Sequence, residues 1–222
     1  QNMSANTSLE LYSYYRSSAA YRVRIALESK ELSWRQIPVN LLDGDQKQET
    51  YLQVNPQGLV PALVTPEGTI TQSLAIIEYL EETYPQSPLL PGSAIDRAQV
   101  RSMAYQIAME IHPLNNPRVT QFLTAKVGAS EAEKMHWYHH WIQVGFTALE
   151  RRLTVSGSKG SFCFGNSVSL ADLCLIPQVY NALRFDCPLQ DYPIICAIYD
   201  HCHQMSAFSA ASPEAQSDYP AK

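Results

Sequence analysis

Two adjacent hydroxyls, Ser17 and Ser18, stand where a short alternating run gives way to a helical stretch. The run Leu9-Glu10-Leu11-Tyr12-Ser13-Tyr14 alternates as a half-buried strand does, and Ala19, Val23, Ala26 and Leu27 then share one helical face. The first amides of a helix lack intrahelical acceptors and carry the positive end of its dipole. A strand that hands over to a helix through serines is therefore a natural anion site, and a thiol held there ionises more readily. Capping accounts for the same hydroxyls without a ligand. Gln72-Ser73 carries the same two readings at a second strand-to-helix junction: Ser73 is a natural cap, or its hydroxyl and the helix amides receive a carboxylate. Val60-Pro61 opens a strand, an ordinary place for proline; a cis bond would instead turn the Val60 N–H and C=O outward for an extended peptide.

Further along, Pro113 interrupts a helical pattern, and His112, Asn116 and Arg118 beside it face either water or a cleft between domains. His136, His139 and His140 have a spacing that permits a metal, but no carboxylate or cysteine is placed to complete the set, so a packed or solvated helix face is expected and no metal is assigned. The same holds for His201-Cys202-His203. Ser169 and Asp172 form a capping box and read as structural. No nucleophile elbow, phosphate-binding glycine loop or paired-carboxylate spacing is visible, which points to chemistry carried by a bound cofactor.

These residues need elements to hold them. The patterning predicts strands at 9–14, 34–40, 62–65 and 69–71, helices at 19–29 and 73–84, and a polar, weakly helical stretch at 45–53. Pro85-Gln86-Ser87-Pro88-Leu89-Leu90-Pro91-Gly92 then breaks all periodicity. Beyond it the pattern is helical, at 96–126, 131–154, 170–184 and 192–205, with a polar tail from Ser212 expected to be loose. The expected organisation is a small α/β domain at 9–84, a linker at 85–95 and an all-α domain at 96–222 that includes the tail. Residues 1–8 read as a tag or disordered start, with Met3 as the natural first residue.

Composition narrows the function classes. The chain has 222 residues, 45% hydrophobic, with a formal net charge of -5 and no basic run, so a nucleic-acid footprint is absent. No apolar stretch approaches the roughly 20 residues that span a bilayer. Five cysteines, an odd number with no C-x-x-C pair, suit reduced thiols in the cytoplasm.

In order along the chain, Tyr14-Tyr15-Arg16-Ser17-Ser18, Arg22-Val23-Arg24-Ile25-Ala26-Leu27, Asn55-Pro56, Val60-Pro61 and Gln72-Ser73-Leu74-Ala75-Ile76-Ile77-Glu78-Tyr79-Leu80 precede Ala171-Asp172-Leu173-Cys174-Leu175, Pro177-Gln178-Val179 and Asn181-Ala182. Over about 9–213 the chain thereby resembles the glutathione transferases, and within them the zeta class, the maleylacetoacetate isomerases. The resemblance implies a thioredoxin-like N-terminal domain that binds glutathione and an all-α C-terminal domain that holds a second substrate. It implies that Ser17 faces the glutathione sulfur with Ser18 beside it. Gln46 contacts glutathione, Val60 pairs with its cysteinyl backbone next to a cis Pro61, and Gln72 and Ser73 hold its γ-glutamyl carboxylate. His112 and Asn116 line the cleft as further glutathione-binding positions, and Arg16, Arg118 and Arg184 meet substrate carboxylates. Some zeta members carry Cys where Ala19 stands, so here the reactive sulfur must come from glutathione; His112 replaces a Gln of some relatives.

The activity so implied is cis–trans isomerisation of maleylacetoacetate to fumarylacetoacetate in tyrosine and phenylalanine breakdown, by a cytoplasmic homodimer acting on a small dicarboxylate. Maleylpyruvate isomerisation, glutathione transfer to small α-halo acids, and a non-catalytic binding module of the same fold are the alternatives.

Overall fold

Leu9 and Leu11, both buried, alternate with partly exposed Glu10 and Tyr12 along β1 (Leu9–Ser13), one of the two inner strands of a four-stranded sheet. The computed structural model describes residues 9–221, and the expected start at 1–8 lies outside the described residues. After β1 come α1 (Ser18–Ser29), β2 (Trp34–Pro38), a short α2 (Glu49–Leu52), β3 (Ala62–Thr65), β4 (Gly68–Thr71) and α3 (Ser73–Thr83). The sheet order is β2-β1-β3-β4, with β1 parallel to β2 and antiparallel to β3, and β3 antiparallel to β4. A parallel pair needs a crossover, and α1 supplies it. Val23, Ile25, Ala26 and Leu27 of α1 and Ile76, Ile77 and Leu80 of α3 bury completely and form the core of this unit. The second strand stops at Pro38, two residues short of its predicted end.

Two charged side chains break the apolar pattern of α1. Arg22 and Arg24 are buried, and Arg24 is wholly so. A buried cation persists only where its donors find acceptors. Arg24 donates to the Ser13 hydroxyl at 3.0 Å, to the carbonyls of Tyr14 at 3.3 Å and Tyr15 at 3.0 Å, and to that of Ala211 at 2.9 Å.

The second unit, Leu89–Met205, holds α4 (Ala94–Ala108), α5 (His112–Asn115), α6 (Pro117–Phe122), a π-helical turn at Leu123–Val127, α7 (Glu131–Ser156), α8 (Leu170–Arg184) and α9 (Pro193–His203). Complete capping boxes open α4 at Ser93 and Asp96 and α7 at Ser130 and Glu133, while Gly157, at φ 72, ends α7. Helix α8 is the buried centre, packed against α4 and α9. Asp172 in its first turn reaches back as expected and accepts from the Ser169 N–H at 2.9 Å and the Cys163 N–H at 2.8 Å. Glu150 of α7 does the same for another helix, accepting the N–H groups of Ile194 at 2.7 Å and Ile195 at 2.9 Å at the start of α9. Among the described residues no helix is long and apolar enough to cross a membrane.

Two expectations need correction. The predicted continuous helix at 96–126 is three helices and a π turn, because Pro113 and Pro117 each sit in a first turn and Asn116 between them adopts ψ 140 as the cap of α6. The polar tail does not join the helical unit. Residues 206–221, including α10 (Ser206–Ala211), belong to the first unit with residues 9–88. Phe208 and Ala211 of α10 bury completely, and the rest of the tie is polar and backbone-based, which hydropathy patterning does not register: Arg24 holds Ala211, and Asp218 accepts the Tyr15 N–H at 3.0 Å.

Candidate active site

Ser17 is the N-cap of α1, with extended backbone angles, and its Oγ accepts the Ala20 N–H at 3.2 Å. Its own N–H donates to the Tyr14 carbonyl at 2.9 Å, closing a tight turn between β1 and α1. Capping and ligand activation therefore do not compete. The cap uses a lone pair of Oγ, and the hydroxyl proton has no acceptor among the described residues, so a half-buried donor remains at the positive end of α1. Ser18 follows as the first helical residue and is buried.

The sheet register assembles the other positions. Tyr12 of β1 lies opposite Ala62 of β3, which lies opposite Thr71 of β4. The turn after β1, the Val60-Pro61 step before β3 and the Gln72-Ser73 step after β4 therefore share one end of the sheet. The Val60-Pro61 bond is cis. Just before it, the Tyr51 hydroxyl at 2.5 Å and the Asn55 side-chain amide at 2.9 Å both donate to the Leu59 carbonyl, which fixes the approach to Val60. Burial pushes the Tyr51 hydroxyl well above the ordinary phenol range, so it stays a donor. No hydrogen bond among the described residues engages the Val60 backbone.

At the third position the structure amends the expected cap. Gln72, not Ser73, is the N-cap residue of α3, and its side chain makes no capping bond. Ser73 is the first helical residue, buried, and its Oγ accepts from Arg22 Nη1 at 3.2 Å. Gln72 sits at φ 72 and ψ 118, a region costly for a residue with a side chain. Its amide is steered by a 2.8 Å hydrogen bond to Gln57 Oε1. Strain of this kind persists where the position serves something other than stability. In the loop after β2, Gln46 donates to the Leu41 carbonyl at 3.5 Å, while its Oε1 is buried with no hydrogen-bond partner among the described residues. A buried orphan acceptor and an unengaged backbone pair at the same sheet end suit a peptide-like ligand with N–H groups to place.

Comparison with known proteins decides the family. Residues 11–88 match the glutathione S-transferase N-terminal domain. A probable maleylacetoacetate isomerase of Vibrio cholerae is 48% identical over 95% of this chain and 98% of its own length. Among solved structures, a holo maleylpyruvate isomerase described as a bacterial zeta-class glutathione transferase superposes with a TM-score of 0.93 at 41% identity, covering 95% of this chain and 100% of its own. The chain belongs to the zeta class of glutathione transferases. Another solved relative, the maleylacetoacetate isomerase of Methylobacterium extorquens AM1 with malonate and glutathione bound, reaches a TM-score of 0.91 at 39% identity over 96% of this chain and 100% of its own.

In zeta-class terms the first unit is the thioredoxin-like domain, and it holds Arg16, Ser17, Ser18, Gln46, Val60, Pro61, Gln72 and Ser73. Arg16 lies over the Tyr15 ring at 5.1 Å and donates to the Tyr14 hydroxyl at 3.5 Å. Burial alone would lower its pKa; the hydrogen bond to Tyr14 and the field of both tyrosines outweigh that and hold it above the ordinary value. The remaining candidates lie in the helical unit, His112 at the start of α5, Asn116 capping α6 through the Arg118 N–H at 3.1 Å, Arg118 exposed, and Arg184 over the Phe185 ring at 4.7 Å. Of the α7 histidines, His139 is half-buried with its Nε2 2.6 Å from the Phe185 carbonyl, while His136 and His140 stack on each other and are exposed.

Sequence reasoning missed the supports. Arg24 and Gln57 hold the Tyr14–Ser17 turn and Gln72, respectively, and neither announces itself locally. The one available signal was an arginine on the buried face of α1, which demands acceptors.

Proposed function

We propose that this chain is a glutathione-dependent cis–trans isomerase that converts maleylacetoacetate to fumarylacetoacetate. The observation that carries the reading is the Ser17 hydroxyl, fixed by the Ala20 N–H yet keeping its proton to donate, at the N-terminus of a helix. The residues present fit glutathione: Gln46 Oε1 offers an unused buried acceptor, Val60 an unengaged backbone, and Gln72 and Ser73 a steered amide and a buried hydroxyl for a carboxylate. Bound there, glutathione would supply a thiolate that adds reversibly to the conjugated cis double bond and lets it rotate. The Ser17 proton and the α1 dipole favour the anionic sulfur. Arg16, Arg118 and Arg184 are the proposed anchors for the substrate carboxylates, and His112 and Asn116 complete the proposed set.

Absorbance assays of cis-to-trans conversion, with and without glutathione, test this. Conversion is expected only with glutathione, and its absence for maleylacetoacetate overturns the assignment. Maleylpyruvate is the second reading, supported by the name of the solved relative at TM-score 0.93; the ratio of kcat/KM for the two substrates ranks them. Five free cysteines support a reducing compartment, and a cytoplasmic homodimer is the proposed assembly.

Two predictions concern binding. Arg118→Ala and Arg184→Ala are each expected to raise the substrate KM about tenfold with little change in kcat, as for a lost charged hydrogen bond. An unchanged KM in both variants contradicts the clamp. Gln72→Gly relieves the backbone at φ 72. Its thermal midpoint is expected to equal or exceed the parent's, while the glutathione KM rises about tenfold. A clear fall in the midpoint would show that Gln72 is held for stability.

A further inference from the structure

We propose that Asp218 is a positioning residue for Ser17 that acts through the backbone of Tyr15. The proposal rests on the role given to Ser17 above and extends the machinery to a segment about two hundred residues away in sequence.

Tyr15 is buried, so its peptide groups need partners within the protein. The carbonyl has one in Arg24 Nη2 at 3.0 Å. The N–H has one in Asp218, whose Oδ2 accepts it at 3.0 Å. The other carboxylate oxygen accepts from Gln36 Nε2 of β2 at 2.7 Å, so both oxygens are committed and the group cannot swing away without breaking two bonds. The ring of Tyr219 meets that of Tyr15 edge-on at 5.4 Å. The segment is anchored just upstream, where the buried Gln216 donates to the carbonyls of Ala210 at 3.0 Å and Ser212 at 2.8 Å.

The link to Ser17 is the turn. The Ser17 N–H donates to the Tyr14 carbonyl, and that carbonyl and the Tyr15 N–H belong to one planar peptide unit. Asp218 holds one end of that plane and Arg24, with the Ser17 N–H, the other. Losing the Asp218 bond frees the plane to rotate, and the acceptor that orients Ser17 rotates with it. Small displacements of a catalytic donor lower turnover more than they lower ground-state binding.

Asp218→Ala and Asp218→Asn separate this role from charge and from general stability. The asparagine keeps a carbonyl for the Tyr15 N–H, and its NH₂ pairs with Gln36 once the Gln36 amide turns over. Steady-state kinetics with glutathione, and amide hydrogen exchange at Tyr15 in the protein without glutathione, are the measurements. D218A is expected to lower kcat about tenfold while the glutathione KM moves less than about threefold. Its Tyr15 amide exchanges about tenfold faster or more, and D218N stays within about twofold of the parent on all three readouts. A D218A kcat within about twofold of the parent overturns the proposal, even with faster exchange, because the contact would then be merely structural. So does a D218N enzyme as impaired as D218A. A parent protein that isomerises neither substrate sinks the functional reading instead, and the exchange measurement still reports whether Asp218 holds Tyr15.

Discussion

Ser17→Ala is expected to lower turnover about a hundredfold while changing the glutathione KM only a few-fold, because it removes one preorganised donor from the charge that develops at sulfur. The geometry attaches a second, separable cost. Oγ also caps α1 through the Ala20 N–H, so the variant loses about 1 kcal/mol of stability, read as a small fall in the denaturation midpoint. The two losses respond differently to pH. A thiol without help titrates near about 8.5, and a donor that favours the thiolate holds it lower. In the alanine variant the thiol returns toward its ordinary value, so the thiolate is scarce at neutral pH and recovers as pH rises. The turnover deficit is therefore largest near neutrality and narrows above about pH 8, whereas the stability loss does not follow that curve. Ser17→Thr keeps both the cap and the proton and is expected to restore most of the rate. Near-normal turnover in the alanine variant, or a deficit flat with pH, removes Ser17 from thiol activation.

How much of this was legible in the sequence depends on the distance over which each residue is held. Ser17 was legible because its partners are Tyr14 and Ala20, within three residues, and a hydroxyl between an alternating run and an apolar-faced helix has few explanations. The ends of α8 were read correctly because its capping box and periodicity are local. Of the two readings of Ser73, the cap fails because spacing cannot reveal that Gln72 takes a positive φ and that Arg22 claims the Ser73 hydroxyl from another helix. The helix break at 109–117 was read as a single kink, since one proline bends a helix, but two prolines around a capping asparagine end it and restart it. The tail from Ser212 reads as loose because its polar composition carries little hydrophobic signal, although Asp218 within it is held by Tyr15 and Gln36. Family resemblance supplied glutathione and the substrate class; no pattern of residue types in this chain specifies either.

The second large effect lies away from the chemistry. Asp172 is wholly buried at the start of α8, and two backbone donors depend on its carboxylate. Asp172→Ala leaves the Cys163 and Ser169 N–H groups without acceptors at the head of the central helix, at a cost of about 2–4 kcal/mol near about pH 5. Burial pushes this carboxyl up to about 6 against the opposing pull of the Cys163 and Ser169 N–H groups, compared with 3.8 for an ordinary aspartate. The folded protein therefore binds this proton more tightly than the unfolded chain. The stability contributed by protonation is complete below about 3.8 and is lost as pH rises through about 6. The gap between parent and D172A is accordingly widest in mild acid and narrows toward neutrality. Asp172→Asn cannot titrate, so its own stability should lack this fall between about pH 4 and 6, and it should keep one of the two backbone bonds and lie between parent and D172A. Urea denaturation of all three proteins across that range measures both effects. A gap that widens with rising pH would mean that the N–H groups outweigh burial and that Asp172 is ionised at no cost in the folded protein.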